Sequence, residues 1–476
     1  MTQKNETPVL ILSLLITAAL LAAGGWWVFS RFSPGGGLPT IGNPSTSETS
    51  STSTPGATNV PVKERLSTGD RLLIQDGSSP DKQAGVEAIA SSDFSQAVTS
   101  LEAALKANPN DPETLIYLNN ARIGTGQSYT IAVAVPTATA ANSASEILRG
   151  VAQAQQEVNQ AGGINGTPLK VMIANDDNQP DVAKQVASAL VDDSSVLGVI
   201  GHFGSEATLA AAPIYEQGQL VMISPTSTSI ELSKQGDYVF RTVPSDRLTA
   251  AALARYMLNT LQKQTAVVYF NSNSSYSNSL KDEFSTALAT EGGQVLTEFD
   301  LSTPNFDAAA TLKQATQQNA EVLVLLANTA TLDEALQIVA ANRGQLPLLG
   351  GDSIYNSKTL QVGGTAAQGM VVAVPWVLLS NPQAPFVRNS RRLWGGDVNW
   401  RTAMSYDAAQ VLIAGLKQDP SRAGLDQALR SPGFSVNGAT GTVRFLQSGD
   451  RNQPMQLVVV ERGNRSGYGF DFVPTR

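Results

Sequence analysis

The sequence predicts an α/β fold with two lobes and parallel sheets, preceded by a transmembrane helix, a disordered linker and a small helical hairpin. After Gly124, short runs rich in valine and isoleucine alternate with amphipathic helical stretches, a pattern typical of βαβ units. One series of such units ends near Val243 to Asp246, and a second series begins directly after it. At 476 residues the chain is also too long for a single domain with one hydrophobic core, since single domains mostly have about 100 to 150 residues. We therefore expect two parallel-sheet lobes within residues 127–476.

The first element is an uncharged apolar segment from Pro8 to Phe29, long enough as a helix to span a hydrocarbon layer of about 30 Å. We interpret residues 1–32 as a single-pass anchor, because Trp26 and Trp27 at the end of the segment suit a membrane interface. A cleaved signal peptide is the alternative, with small residues for a cleavage site at Ala22 to Gly24.

Residues 33–62 consist mostly of glycine, proline, serine and threonine, including the run SETSSTSTPGATN. A segment of this composition buries too little apolar surface to offset its chain entropy. We predict that it is a disordered linker, which holds the rest of the chain away from the bilayer.

Residues 63–126 have alanine, leucine and isoleucine at helical spacing, interrupted at Pro109 to Pro112, and this pattern predicts a helical hairpin. The stretch from Ser92 to Ala121 resembles a tetratricopeptide-type repeat, with packing positions at Phe94, Ala97, Leu101, Ala104 and Leu105. A stacked superhelix needs about three repeats, whereas little more than one fits here. We therefore favour docking onto the next domain, or a short spacer, over an independent peptide-binding superhelix.

Composition excludes several classes of function. The net charge is -8 and no basic block is present, so nucleic acid is not expected as a partner. The chain has no cysteine, which removes disulfides, thiolate nucleophiles and cysteine metal sites. Neither a phosphate loop of the GxxxxGK[ST] type nor a GxSxG elbow occurs. We predict that the protein is not an enzyme and that it uses no cofactor and no metal.

Two remaining features could indicate a catalytic residue or a metal site. His202 is the single histidine, and without a second histidine or a cysteine we interpret it as a structural residue beside a strand end. The acidic group Asp176, Asp177 and Asp181 lacks the glycine and the terminal glutamate of an EF-hand loop. A metal site is therefore not expected there.

Several ordered motifs after Tyr129 carry a resemblance to a known family. Residues 129–472 are similar to the periplasmic binding proteins of the branched-chain amino-acid type, the receptors of amino-acid importers. The motifs are RGVAQAQQEVNQAGGINGTPLKV (149–171), DDNQPDVAKQVASALVDD (176–193), GHFGSEAT (201–208), PIYEQGQLVMISPTSTSIELS (213–233), YVFRTVPSD (238–246) and LGGDSIYN (349–356). Each motif alone is weak, but their order and spacing together are specific.

The resemblance implies a type I periplasmic-binding-protein fold with three interlobe crossings, near Ser245, Pro375 and Gly441. Lobe 1 would comprise about 127–245 and 376–440, and lobe 2 about 246–375 and 441–476. It also implies a small amino acid or analogue as ligand and an ABC permease as partner. We therefore expect an anchor in the cell inner membrane, N-terminus inside, with the main domain on the periplasmic or extracellular side.

The first lobe supplies three candidate ligand-binding residues. Ser205 opens a helical stretch after the strand VLGVIG, so its amide and hydroxyl can face an anion at a helix N-terminus. Thr226 and Thr228 lie just past the strand LVMI, at the carboxyl edge where open α/β sheets bind ligands. In family members that bind amino acids, the matching positions contact the ligand's carboxylate and ammonium, Thr226 mainly through its backbone. The alternatives are a helix cap at Ser205 and turn-forming roles for the two threonines.

The second lobe supplies Tyr276 and Asp352, each after a strand of the second series. Asp352 can offset an ammonium charge, although the family often has glutamate there. Thr329 takes the place of a tyrosine that helps to hold the ammonium in the family. Alternatively, Tyr276 is an exposed loop aromatic and Asp352 a turn residue.

Two functions remain open. The first is a membrane-tethered receptor for amino-acid uptake, which closes its lobes over the ligand and presents a surface to a permease. The second is a ligand sensor or regulator without transport function, including an activator of cell-wall synthesis, because the tether and the helical region lie outside the ordinary family plan.

Overall fold

A computed structural model describes residues 60–75 and 77–475, so the predicted anchor and nearly all of the predicted linker lie outside the described residues. Within this part of the chain, none of the helices has the length and apolarity to cross a membrane. Elements are numbered below in chain order.

The region before the first lobe differs from the predicted hairpin. It contains a two-residue strand, β1 (Leu66–Ser67), and three helices, α1 (Pro80–Ala90), α2 (Phe94–Ala107) and α3 (Pro112–Ile123). Helix α1 was missed because Lys82 and Gly85 are among its buried residues, so it lacks a regular apolar stripe. The glycine is required here, since a Cβ at Gly85 would lie 2.6 Å from the Leu101 side chain of α2.

This helical region docks onto lobe 1, as favoured from the sequence. Strand β1 pairs antiparallel with β3 (Leu169–Asn175). The Asn120 side chain of α3 donates to the Val171 carbonyl at 2.7 Å and accepts from the Val171 amide at 3.1 Å. The Gln155 amide also donates to Asn120 at 2.8 Å, so a buried polar network joins the helices to the sheet.

The first lobe is built on a six-stranded sheet in the order β1-β3-β2-β4-β5-β6. The strands after β1 are mutually parallel and comprise β2 (Tyr129–Val135), β3, β4 (Val196–Ile200), β5 (Met222–Ser224) and β6 (Val239–Arg241). Three helices connect them, namely α4 (Ala141–Gln160), α5 (Pro180–Asp192) and α6 (Ser205–Gln217). Strand β2 packs Ile131 and Val133 into one core cluster and Ala132 and Ala134 into another, so both sheet faces are covered.

The second lobe is built on a seven-stranded sheet in the order β15-β14-β11-β10-β9-β7-β8. Its strands are β7 (Thr265–Phe270), β8 (Gln294–Asp300), β9 (Val322–Leu326), β10 (Leu348–Gly350), β11 (Val371–Val374), β14 (Gln456–Arg462) and β15 (Phe470–Pro474). Its helices are α7 (Asp246–Arg255), α8 (Ser275–Thr290), α9 (Ala308–Gln317) and α10 (Leu332–Asn342). The prediction of parallel sheets is wrong for β14 and β15. Strand β14 pairs antiparallel with β11 and also with β15, to which a short loop joins it.

The chain passes between the two lobes three times. After β11 it forms α11 (Pro385–Trp394), α12 (Trp400–Gln418) and α13 (Arg422–Arg430), of which α12 packs against α4 of lobe 1. A small hairpin, β12 (Val436–Gly438) and β13 (Gly441–Val443), then leads back to β14 in the second sheet. The predicted crossings near Ser245, Pro375 and Gly441 each fall in one of these passages.

Buried ion pairs fix the segment between β13 and β14, in the last crossing between the lobes. Arg241 of β6 lies 2.6 Å from Asp450, and Arg451 lies 3.0 Å from Asp407 of α12. Asp407 also accepts from the Ala439 amide at 2.5 Å. These contacts connect the lobes at the side where a hinge is expected.

Candidate ligand-binding site

The carboxyl edges of the two sheets border a cavity of about 80 Å³. Five of the six predicted residues line it: Ser205, Thr226, Tyr276, Thr329 and Asp352. The sixth, Thr228, is fully buried and lies outside the cavity lining. The reason is geometric, because Thr228 belongs to the segment that turns back towards the hinge, where its carbonyl accepts the Asp246 amide at 2.8 Å.

The first-lobe wall is the start of α6. Its N-cap residue is Gly204, whose amide donates to Asn178 at 3.0 Å. Ser205 is buried, and its hydroxyl is in long contact with the Ser229 amide at 3.4 Å. The first-turn amides of a helix have no intrahelical acceptor, and the helix dipole favours negative charge beside them. This wall therefore suits a carboxylate.

Thr226 lies on the same wall, but its hydroxyl is already engaged. It donates to the Phe203 carbonyl at 2.7 Å, which ties the segment after β5 to the loop before α6. The Thr226 amide makes only a 3.4 Å contact with Ser224. The backbone amide, with only this long contact, is therefore the more available polar group at this position.

The second-lobe wall centres on Asp352. The Tyr276 hydroxyl donates to its Oδ1 at 2.7 Å, whereas its Oδ2 is buried without a hydrogen-bond partner among the described residues. Burial raises the pKa of Asp352, opposed by the Tyr276 hydrogen bond and by the charge of Arg401. Burial, with the neighbouring Asp352 charge, also raises the pKa of Tyr276 well above its usual value. The wall thus offers a free carboxylate oxygen to a cation.

A second carboxyl group, Asp246, lies behind this wall and was missed from the sequence. It is fully buried, and burial, assisted by the Asp352 charge, raises its pKa to about 7. The hydroxyls of Thr228 and Ser279 lie beside it and lower that pKa, yet neither completes a hydrogen bond of normal geometry. Its position after the crossing from β6 gave no local signal of burial.

Arg401 is the other group that the sequence did not reveal. It lines the cavity with its neighbour Trp400 at the start of α12, although it is distant in sequence from every predicted site residue. Its guanidinium stacks over the Trp400 ring at 4.3 Å and donates to the Tyr355 carbonyl at 3.3 Å. Asn399 caps α12 and thereby places Arg401 in the first turn of that helix.

His202 has the structural surroundings expected for it. Its Nδ1 lies 2.6 Å from Asp176 Oδ2, and its Nε2 lies 3.0 Å from the Tyr215 hydroxyl. All three side chains are fully buried, and Tyr215 comes from the last turn of α6. In residues 60–75 and 77–475, no group of acidic and histidine side chains has the arrangement of a metal site.

Residues 128–465 match the family model described as periplasmic binding protein. The chain belongs to the periplasmic binding protein family.

Relatives within this family include the Leu/Ile/Val-binding protein homolog 3 of Brucella melitensis, 27% identical over 335 residues, covering 68% of this chain and 89% of that protein. The leucine-specific-binding protein of Salmonella typhimurium is 25% identical over 306 residues, covering 63% of this chain and 82% of that protein.

Solved structures show the same periplasmic-binding-protein fold. An ABC transporter substrate-binding protein from Desulfitobacterium hafniense in complex with Leu has a TM-score of 0.61 and 26% identity, covering 73% of this chain and 100% of that one. A solute-binding protein from R. palustris in complex with benzoate has a TM-score of 0.63 and 18% identity, covering 73% of this chain and 96% of that one. The fold therefore occurs with ligands of more than one chemical class.

Proposed function

We propose that this protein is the substrate-binding component of an ABC-type amino-acid importer, which holds a small amino acid or a related compound between its lobes. The observation that carries the proposal is the pairing of opposite recognition groups across one cavity. The start of α6 at Ser205 offers amide donors, and Asp352 offers a buried, unpartnered carboxylate oxygen. An α-amino acid is a zwitterion that satisfies both walls at once.

Lobe closure is the proposed binding motion. The cavity walls come from both lobes, and folds of this kind close around ligands by hinge motion. The closed form would present a joint surface to a permease. Because the relatives are named as binding proteins, we retain the prediction that this chain is not an enzyme.

We further propose that residues 1–32 anchor the protein in the cell inner membrane, with the binding domain on the periplasmic or extracellular side. The support is the uncharged length of Pro8 to Phe29 and its tryptophan end. N-terminal sequencing of membrane-extracted protein tests this. A mature chain that starts near Gly24 or Gly25 would show a cleaved leader instead.

A second candidate function is a ligand sensor or regulator, including an activator of cell-wall synthesis. The docked helices favour it, because β1 and Asn120 fix them to lobe 1 outside the part that matches the family model. The helices thus give lobe 1 an added surface for a partner. Copurification of a permease or, instead, of a wall-synthesis or signalling protein distinguishes the two functions.

A thermal-shift screen tests the binding function itself. A ligand at 100 times its dissociation constant adds about 2.7 kcal/mol to the free energy of unfolding, which is readily seen as a higher melting temperature. We expect such a shift with at least one α-amino acid and none with its N-acetylated form. No shift with any amino acid would refute amino-acid binding.

A further inference from the structure

Most of the residues that line the cavity at Asp352 have polar side chains. Hydroxyl, amide and charged side chains belong to most of these residues, and the larger apolar groups among them are Phe203, Ala330 and the rings of Tyr276 and Trp400. Among the described residues that line it, there is no leucine, isoleucine or valine. An aliphatic ligand side chain would desolvate polar groups here without replacing their hydrogen bonds.

Arg401 has hydrogen-bonding capacity to spare. The residue is 4% exposed, and its Nε has no partner among the described residues. No carboxylate in the described part of the chain forms an ion pair with it within 4.0 Å. A guanidinium has five N–H donors in a planar fork, and leaving a buried cation without a charged partner is costly. Its two contacts, with Tyr355 and Trp400, leave most of the fork unused.

The acidic neighbours of Arg401 are occupied or distant from it. Glu146 faces it from α4, but that carboxylate pairs with Arg149 at 2.7 Å and accepts from Thr402. Asp352 acts on Arg401 through its charge while it bonds to Tyr276. The remaining acid of the lining is Glu206 in the first turn of α6, and its buried Oε1 has no partner in the described part of the chain.

The carboxylates of Asp352 and Glu206 in the lining favour a ligand with a cationic group, which we place at Asp352. An acceptor oxygen on the ligand is then best placed at the one cationic side chain of the lining, Arg401. We propose that Arg401 selects an α-amino acid whose side chain ends in a carboxylate or carboxamide oxygen, in preference to an aliphatic amino acid. The inference rests on the proposed amino-acid binding and adds the class of side chain.

The test is isothermal titration calorimetry of the full chain with glutamate, glutamine, aspartate and asparagine, and with leucine and lysine as comparison ligands. We expect at least one of the first four to bind at least tenfold more tightly than either comparison ligand. Arg401→Met keeps a similar side-chain length without donors. The affinity for the preferred ligand should fall about ten- to hundredfold, the range expected for a lost hydrogen bond to a charged group. The affinity for leucine should stay the same or rise.

Asp352→Asn is the matched control, because it should lower the affinity for every amino acid, whatever its side chain. Melting of the ligand-free variants checks that they fold, and if Arg401→Met does not fold, Arg401→Lys replaces it with a smaller expected loss. Leucine binding as tightly as the best polar ligand would overturn the inference and leave the proposed function standing. Equal losses for polar and aliphatic ligands in the Arg401 variant would do the same. Binding of no amino acid by folded wild-type protein would overturn the proposed function itself.

Discussion

The Tyr276 hydroxyl donates a 2.7 Å hydrogen bond to one oxygen of Asp352 and leaves the other oxygen buried without a partner among the described residues. The close approach depends on Gly351, because a Cβ there would lie 2.7 Å from the Tyr276 hydroxyl. The tyrosine thus fixes one oxygen of a carboxylate that lines the cavity, and we propose that the other oxygen contacts a ligand cation.

Replacement of Asp352 by Asn should weaken zwitterion binding by about 1.5 to 3 kcal/mol, the usual contribution of a hydrogen bond to a charged group. Ser205→Ala should cost less, because the backbone amide at the start of α6 survives the change. Calorimetry on wild type and both variants, with the ligand found by thermal shift, measures the difference. Equal affinity in wild type and Asp352→Asn would mean that the ligand ammonium is held elsewhere or that the ligand has none.

Tyr276→Phe should make ligand affinity more sensitive to acid. The tyrosine hydrogen bond lowers the pKa of Asp352, so its loss moves that already raised pKa further upward. In the proposed binding mode the ionised carboxylate holds the ammonium, so affinity should fall as pH drops through this pKa, and in the variant the fall should begin at higher pH. Calorimetry from pH 8 to pH 5 checks this, with Tyr468→Phe, at an exposed residue, as the control. Parallel pH profiles would contradict the orienting role.

Asp246→Asn should stabilise the protein at alkaline pH. The pKa of Asp246 is about 7 in the folded state and 3.8 without the fold, so the folded state binds the proton more tightly. The free energy of unfolding therefore falls as pH rises from about 4 to about 7, by at most roughly 4 kcal/mol from this group. The variant lacks this loss, so its advantage over wild type should appear near pH 7 to 8 and vanish near pH 4.

Urea denaturation at pH 4, 6 and 8 measures the Asp246 effect. Asp181→Asn, at an exposed position, is the control and should show no comparable pH-dependent gain. An Asp246→Asn variant less stable than wild type at pH 8 would show that the buried carboxylate has stabilising partners.

Lys82→Met should strongly destabilise the docked helices. Lys82 Nζ lies 2.8 Å from both Asp111 and Glu113, and its side chain is almost fully buried. Burial alone lowers the pKa of Lys82, but the two carboxylates outweigh it and raise that pKa. Removal of the lysine leaves Glu113 buried without its cation, a loss of about 3 to 5 kcal/mol in buried pairs.

Hydrogen exchange of the helical region and urea denaturation report the Lys82 effect. Lys184→Met removes an exposed lysine that lies 3.1 Å from Asp181, and it should change stability by less than about 1 kcal/mol. Similar losses in both variants would argue against a special role for the buried pair.

Much of the site was visible in the sequence, because parallel strands place their carboxyl ends at one edge. Ser205, Thr226, Tyr276 and Asp352 each follow a strand recognisable from its apolar run, and they line one cavity together with Thr329, which only the family resemblance had indicated. Thr228 has the same local signature as Thr226, yet it lies outside the lining. Thr228 is only two residues further along the chain, but there the backbone has turned towards the hinge, where it bonds to Asp246. The path of this segment is set by the hinge and not by the preceding strand.

The sequence alone determined the two series of βαβ units, since burial on both faces of a strand leaves a continuous apolar run such as VLVLL in β9. Only the tertiary structure decided that β14 and β15 pair antiparallel, that β1 joins the first sheet, that Arg401 lines the cavity and that Asp246 is buried behind its wall. The reason is that apolar periodicity records only whether a side chain is buried. Which distant groups lie together depends on how the lobes and the crossing segments pack. The sequence around a polar residue such as Arg401 does not indicate that the residue is buried in such a place.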